Sequence, residues 1–138
     1  MRSALEQVKP DIVLLTGELS DPHGTHELCT QVFEKAAQNY QGQFVRWLYR
    51  GAYQEWPVED ASYFSVFDKA HMDLKIGLIL DHISQLDPLY PGGDVREFWE
   101  RARDRNRQSA RQLQSLGLLP LSRSFAPVFA EVFRYDES

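Results

Sequence analysis

The chain has 138 residues, which suits one modest domain with a core that takes up roughly two-thirds of the unfolded surface. Its net charge of -5, from 20 acidic against 15 basic residues, disfavours a general nucleic-acid role, because non-specific phosphate binding runs on surplus Lys and Arg. The single cysteine, Cys29, excludes an intrachain disulfide and fits a reducing, cytoplasmic compartment, while Met1 to Lys9 lacks the apolar core of a signal peptide and no apolar run approaches a membrane span.

Asp11 to Gly17 is a short run rich in branched apolar residues, the pattern of a strand buried on both faces of a parallel sheet. Asp21 can cap a helix and Pro22 suits its first position. Leu28, Val32, Phe33 and Ala36 then follow at helical spacing to about Tyr40. Phe44 to Tyr49 is a second strand, which completes a βαβ unit with parallel pairing as its default geometry. Residues 51 to 66 are aromatic and irregular, with a turn at Trp56-Pro57. A helix is expected over 66 to 84, with Met72, Lys75, Ile76, Ile79, Leu80 and Ile83 on one broad face. Asp94 caps a further helix from about Val95 to Leu116, ended by Gly117. The tail from Pro127 to Tyr135 alternates and reads in part as an edge strand.

His23 and His26 are three apart at a helix start, so they share a face. They follow the carboxyl end of the first strand, the edge at which open α/β sheets bind ligands. Imidazole is both a zinc ligand and a proton carrier, yet an arbitrary His-x-x-His pair is most often two solvated side chains.

Several segments together narrow that reading. Asp21-Pro22-His23-Gly24-Thr25-His26 is followed by Trp47-Leu48-Tyr49-Arg50-Gly51-Ala52 with Glu55-Trp56. Lys75 with His82-Ile83-Ser84-Gln85 comes next, and then the run from Arg96 to Arg107. In this order, over about residues 11 to 118, they resemble the LmbE/PIG-L family of zinc N-deacetylases. The branch concerned is found alone or fused behind a glucosamine-6-phosphate deaminase domain.

The resemblance implies that His26 is a zinc ligand and that His23 assists the tetrahedral intermediate by donating to its oxyanion or leaving group. It also implies that Lys75 and His82 face an N-acetylated amino-sugar substrate. Zinc chemistry would then lower the pKa of water and polarise an amide carbonyl. The family's other ligands and its general base come from a His-Pro-Asp-Asp motif. This chain has no Asp-Asp dipeptide at all, and His71-Met72-Asp73 is the nearest imitation. The chain as a whole, 1 to 138, therefore looks like a single domain matching the C-terminal half of such a deacetylase.

Each remaining candidate has two readings. Arg50, after a strand and before Gly51, could clamp a carbonyl, phosphate or sugar hydroxyl, or it could pair with Glu55. Lys75 and His82, seven apart, could share a substrate-facing side of one helix, or be a rim lysine and a buried structural histidine. Arg101, Arg105 and Asn106 either buttress a site or receive an anionic sugar, or they belong to a solvated, salt-laced helix, in which Glu97 and Arg101 make a favourable pair. Phe98 and Trp99 read as core. Cys29 reads as a packing residue rather than a thiolate ligand.

The expected fold is α/β, a partial Rossmann-like and mostly parallel sheet flanked by helices, with an exposed strand edge. The expected partners are an amino-sugar substrate and either a second copy or an N-terminal catalytic half, with no nucleic acid and no membrane. The alternative is a non-catalytic binding or assembly module that kept the fold and lost the base.

Overall fold

A computed structural model describes residues 1–17, 24–50, 55–85, 94–119 and 129–137. Two compact units make up the chain. The first comprises Met1–Tyr63 and Phe133–Ser138, and the second Phe64–Val132.

The first unit opens with a short helix, α1 (Arg2–Val8), which sequence periodicity did not reveal because Leu5 is its one buried side chain. Lys9 ends it in a left-handed turn, its N–H donating to the Leu5 carbonyl at 2.9 Å. Strand β1 (Ile12–Thr16) follows, then α2 (Thr25–Ala37) and β2 (Val45–Tyr49). β1 and β2 pair in parallel, with Ile12 opposite Val45 and Thr16 opposite Tyr49, so the expected βαβ unit is present. Helix α2 begins after Gly24, whose φ of 66° is a left-handed conformation that glycine adopts without a Cβ penalty. The caps expected at Asp21 and Pro22 lie outside the described residues.

Leu5, Phe33 and Phe44 form the core of this unit, with Val13, Leu15, Ala36, Ala37 and Tyr40 packed around them. Phe33 meets Phe44 edge to face, with ring centroids 5.6 Å apart. Alternation along β1 sends Val13 and Leu15 to this core. Ile12 and Leu14 point the other way and are 51% and 59% exposed, so β1 is not buried on both faces as its apolar run suggested. The outward face continues through Trp47, which packs on Tyr63 at 4.7 Å and Phe133 at 5.7 Å between centroids.

The segment from 51 to 66, read as irregular, contains a 3-10 turn (Val58–Asp60) and the start of a strand, β3 (Tyr63–Phe67). The last strand, β4 (Phe129–Glu137), is not an edge. Strand order in the four-stranded sheet is β1-β2-β4-β3. β4 pairs antiparallel with β2, Leu48 opposite Arg134 and Val45 opposite Glu137. Against β3 it also runs antiparallel: Tyr63 meets Phe133 and Phe67 stacks on Phe129. The sheet is thus mixed and mostly antiparallel, not mostly parallel, because the returning chain enters between β2 and β3. Among the described residues β1 pairs with β2 alone, which leaves the strand edge that the sequence led one to expect.

The second unit carries α3 (Lys69–Leu80) and α4 (Phe98–Ser115). Asp68 caps α3 by accepting from the His71 N–H at 3.0 Å. The helix is shorter than the 66–84 its composition suggested. Met72 is its buried side chain, and Leu80 and Ile83 are 43% and 79% exposed. α4 starts at Phe98 rather than Val95, with the Glu100 carboxylate accepting from the Glu97 N–H at 3.1 Å, the reach-back arm of a capping box. Ala102, Asn106, Ser109, Ala110 and Leu113 line its buried stripe, and the small members let it pack closely. Gly117, at φ 72°, ends it in a Schellman arrangement: its own N–H donates to Gln114 and that of Leu118 to Leu113.

Candidate functional site

The carboxyl ends of β1 and β2 are laced together. Gly17 donates its N–H to the Tyr49 carbonyl at 2.6 Å, and Arg50 Nε donates to the Gly17 carbonyl at 3.1 Å. Thr30 Oγ1, one turn into α2, bonds the Thr16 carbonyl at 3.0 Å and the His26 carbonyl at 3.2 Å. That hydroxyl ties the first turn of α2 to the end of β1. His26, half-buried in that turn, is therefore held at the same sheet edge as Arg50. His23 lies outside the described residues.

Trp56, read from sequence as part of a turn, is the buried floor of this edge at 7% exposure. Its Nε1 donates to the Leu48 carbonyl at 3.0 Å. Two guanidiniums lie against its ring: Arg50 at 3.8 Å and Arg134 at 4.9 Å from the ring centroid. Arg46 is held differently, its Nη1 reaching both oxygens of Glu34 at 2.8 Å. Thr16, Gly17, Thr30, Glu34, Arg46, Leu48, Trp56, Arg134 and Tyr135 enclose a cleft of about 350 Å³. Arg134 could not be found by motif, because only the Leu48–Arg134 register of β4 brings it there.

The other sequence candidates lie in the second unit. Lys75 Nζ donates to Asn106 Oδ1 and to Glu131 Oε2, both at 3.0 Å. Asn106, 2% exposed, donates in turn to the Ala130 carbonyl at 3.0 Å, so α3, α4 and β4 share one polar network. His82 is exposed and follows the end of α3 at Leu80, so the two-turn spacing from Lys75 does not lie on one helix. The arginine helix is not wholly solvated: Arg101 is 6% exposed and its Nη1 donates to the Arg96 carbonyl at 2.8 Å. Phe98 and Trp99 are half-buried, with Arg101 5.7 Å from the Phe98 centroid and Arg103 5.1 Å from that of Trp99. Cys29 is exposed and is not a packing residue.

A zinc site takes three or four protein ligands. Among the described residues no group of three or more His, Cys, Asp or Glu side chains is placed to hold a metal. His26 is the one expected donor there, and one imidazole does not compose such a site.

The architecture is thus that of an α/β protein with a cleft at the carboxyl ends of its parallel strands. No family profile matches the chain, and no solved structure matches it. It is similar to a Bacteroides thetaiotaomicron protein named as glucosamine-6-phosphate deaminase-like, at 35% identity over 126 residues. The match covers 86% of this chain and 19% of that relative, so the chain spans about a fifth of the relative's length. This agrees with the link to the deaminase-fused branch drawn from the residue motifs.

Proposed function

We propose that this chain is part of an N-deacetylase module acting on an N-acetylated amino sugar, within a larger Rossmann-like sheet. The observation that carries the reading is that His26, through Thr30, and Arg50, through Gly17, are both tied to the carboxyl edge of a parallel βαβ unit. The relative's printed name, which concerns an amino-sugar phosphate, supports the same substrate class.

In this reading His26 is the imidazole that the chain offers to a zinc ion, and a segment bearing a His-Pro-Asp-Asp motif supplies the other ligands and the base. His23 donates a proton to the departing amine. Arg50 orients the sugar. The partner is that catalytic segment or a second copy, and the compartment is the cytoplasm.

The test is to mix the chain with such a segment and measure bound zinc and acetate released from N-acetylglucosamine. The reading expects zinc uptake and turnover only in the mixture, both lost in His26→Ala. A mixture that binds no metal and releases no acetate would sink it. A second reading, a binding or assembly module, is favoured by the open edge of β1. It predicts a stable complex with the same segment and no turnover.

A further inference from the structure

We propose that Arg50 and Arg134, mounted on the Trp56 indole, form a subsite for the phosphate group of a phosphorylated sugar. The proposal rests on the amino-sugar reading above and adds that the substrate is a phosphate monoester.

Three observations lead there. The first is charge. In an acidic chain, two guanidiniums contact one buried indole, Arg50 at 3.8 Å and Arg134 at 4.9 Å. Sharing one ring puts them within about 9 Å of each other, inside a Debye length in dilute buffer, so they repel unless an anion sits with them. The neighbouring Arg46 is already neutralised by its two-oxygen pairing with Glu34. Among the described residues, neither Arg50 nor Arg134 has a carboxylate partner.

The second observation is rigidity. Trp56 is anchored by Nε1 to Leu48, and Arg50 by Nε to Gly17. Among the described residues no hydrogen bond engages the two Nη groups of Arg50, the pair that matches two oxygens of a phosphate. A pre-set cation loses little freedom when the anion arrives.

The third is the cleft. Its volume of about 350 Å³ falls within the range of small-molecule sites, roughly 300–1,000 Å³. Its wall carries the hydroxyl side chains Thr16, Thr30 and Tyr135, a residue type that bonds sugar hydroxyls, while Glu34 is held by Arg46. A nucleic acid would need a basic stripe, whereas here one arginine pair shares an indole, with Arg134 and Trp56 in the cleft wall and Arg50 against the same ring.

The experiment is calorimetric titration of the whole chain with N-acetylglucosamine 6-phosphate, N-acetylglucosamine and inorganic phosphate. The phosphosugar should bind at least about tenfold tighter than the neutral sugar, and its affinity should fall as salt is raised. Inorganic phosphate should bind and compete. Arg134→Gln, at an exposed side chain, should weaken the phosphosugar about tenfold while circular dichroism stays unchanged. Arg50→Lys, which keeps the charge and loses the fork, should weaken it by less.

Equal affinity for the two sugars would overturn the phosphate subsite and leave the amino-sugar reading standing. No binding of any probe at millimolar concentration would overturn it, as would inorganic phosphate binding without the phosphosugar. Unchanged affinity in Arg134→Gln would do the same.

Discussion

Gly17 lies under the Trp56 indole, and a Cβ there would collide with ring atom Cζ2. Gly17→Ala should therefore push the indole off its seat and disturb the Arg50 and Arg134 guanidiniums with it. Overpacking of this kind costs about 1–3 kcal/mol, measurable as a lower urea midpoint with unchanged slope. A second residue-scale effect concerns Asp94. The Arg96 guanidinium, 2.6 Å away, and the Arg96 N–H hold its carboxyl down at about 2, against an ordinary 3.8. Because the folded value is the lower one, the stabilisation is complete above 3.8 and is lost as pH falls through about 2. Carboxyl NMR titration should place the Asp94 midpoint near the lower value, and Arg96→Gln should bring it back toward the ordinary one. An Asp94 midpoint that stays low in Arg96→Gln would remove the ion pair as its cause.

Among the elements, β1 stands out, since its outer face exposes Ile12 and Leu14 and one of its edges has no partner strand among the described residues. Such edges invite pairing with other chains. Leu14→Lys, at an exposed position, should reduce self-association in sedimentation velocity without unfolding the chain. Equal association in the variant would point to another surface. The elements themselves were unevenly legible. β1, α2 and β2 follow from local apolar pattern and hydrophobic period, so their positions could be read. α1 could not, because a single side chain, Leu5, carries its docking. The start of β3 hid in an aromatic stretch with no clean alternation. The tail was legible as a strand, but its place between β2 and β3 is set by antiparallel pairing with residues about 65 to 90 positions earlier, which local pattern does not encode.

At the scale of the whole molecule, the candidate site shows the same division. His26 and Arg50 were legible because each follows a readable strand or opens a readable helix. Trp56 was seen as a turn residue and as part of the Glu55-Trp56 motif but not as the floor of the site, and Arg134 lay unseen in the tail until strand pairing carried it to Leu48. No helix among the described residues is long and apolar enough to cross a membrane. The net charge of -5 sets a further expectation: fluorescence anisotropy at physiological salt should show no binding to a random-sequence duplex. Saturable binding there would mean that the arginines of α4 act together as a phosphate-tracking surface.

Cys29 gives the chain a practical property. It is the sole sulfhydryl, it is exposed, and it lies three residues beyond His26 on α2. One spin label or fluorophore can therefore be attached at a single known point, a helical turn from the proposed zinc-binding imidazole. A probe there would report the approach of a second polypeptide to this edge as a change in mobility or quenching, before any reaction product could be measured.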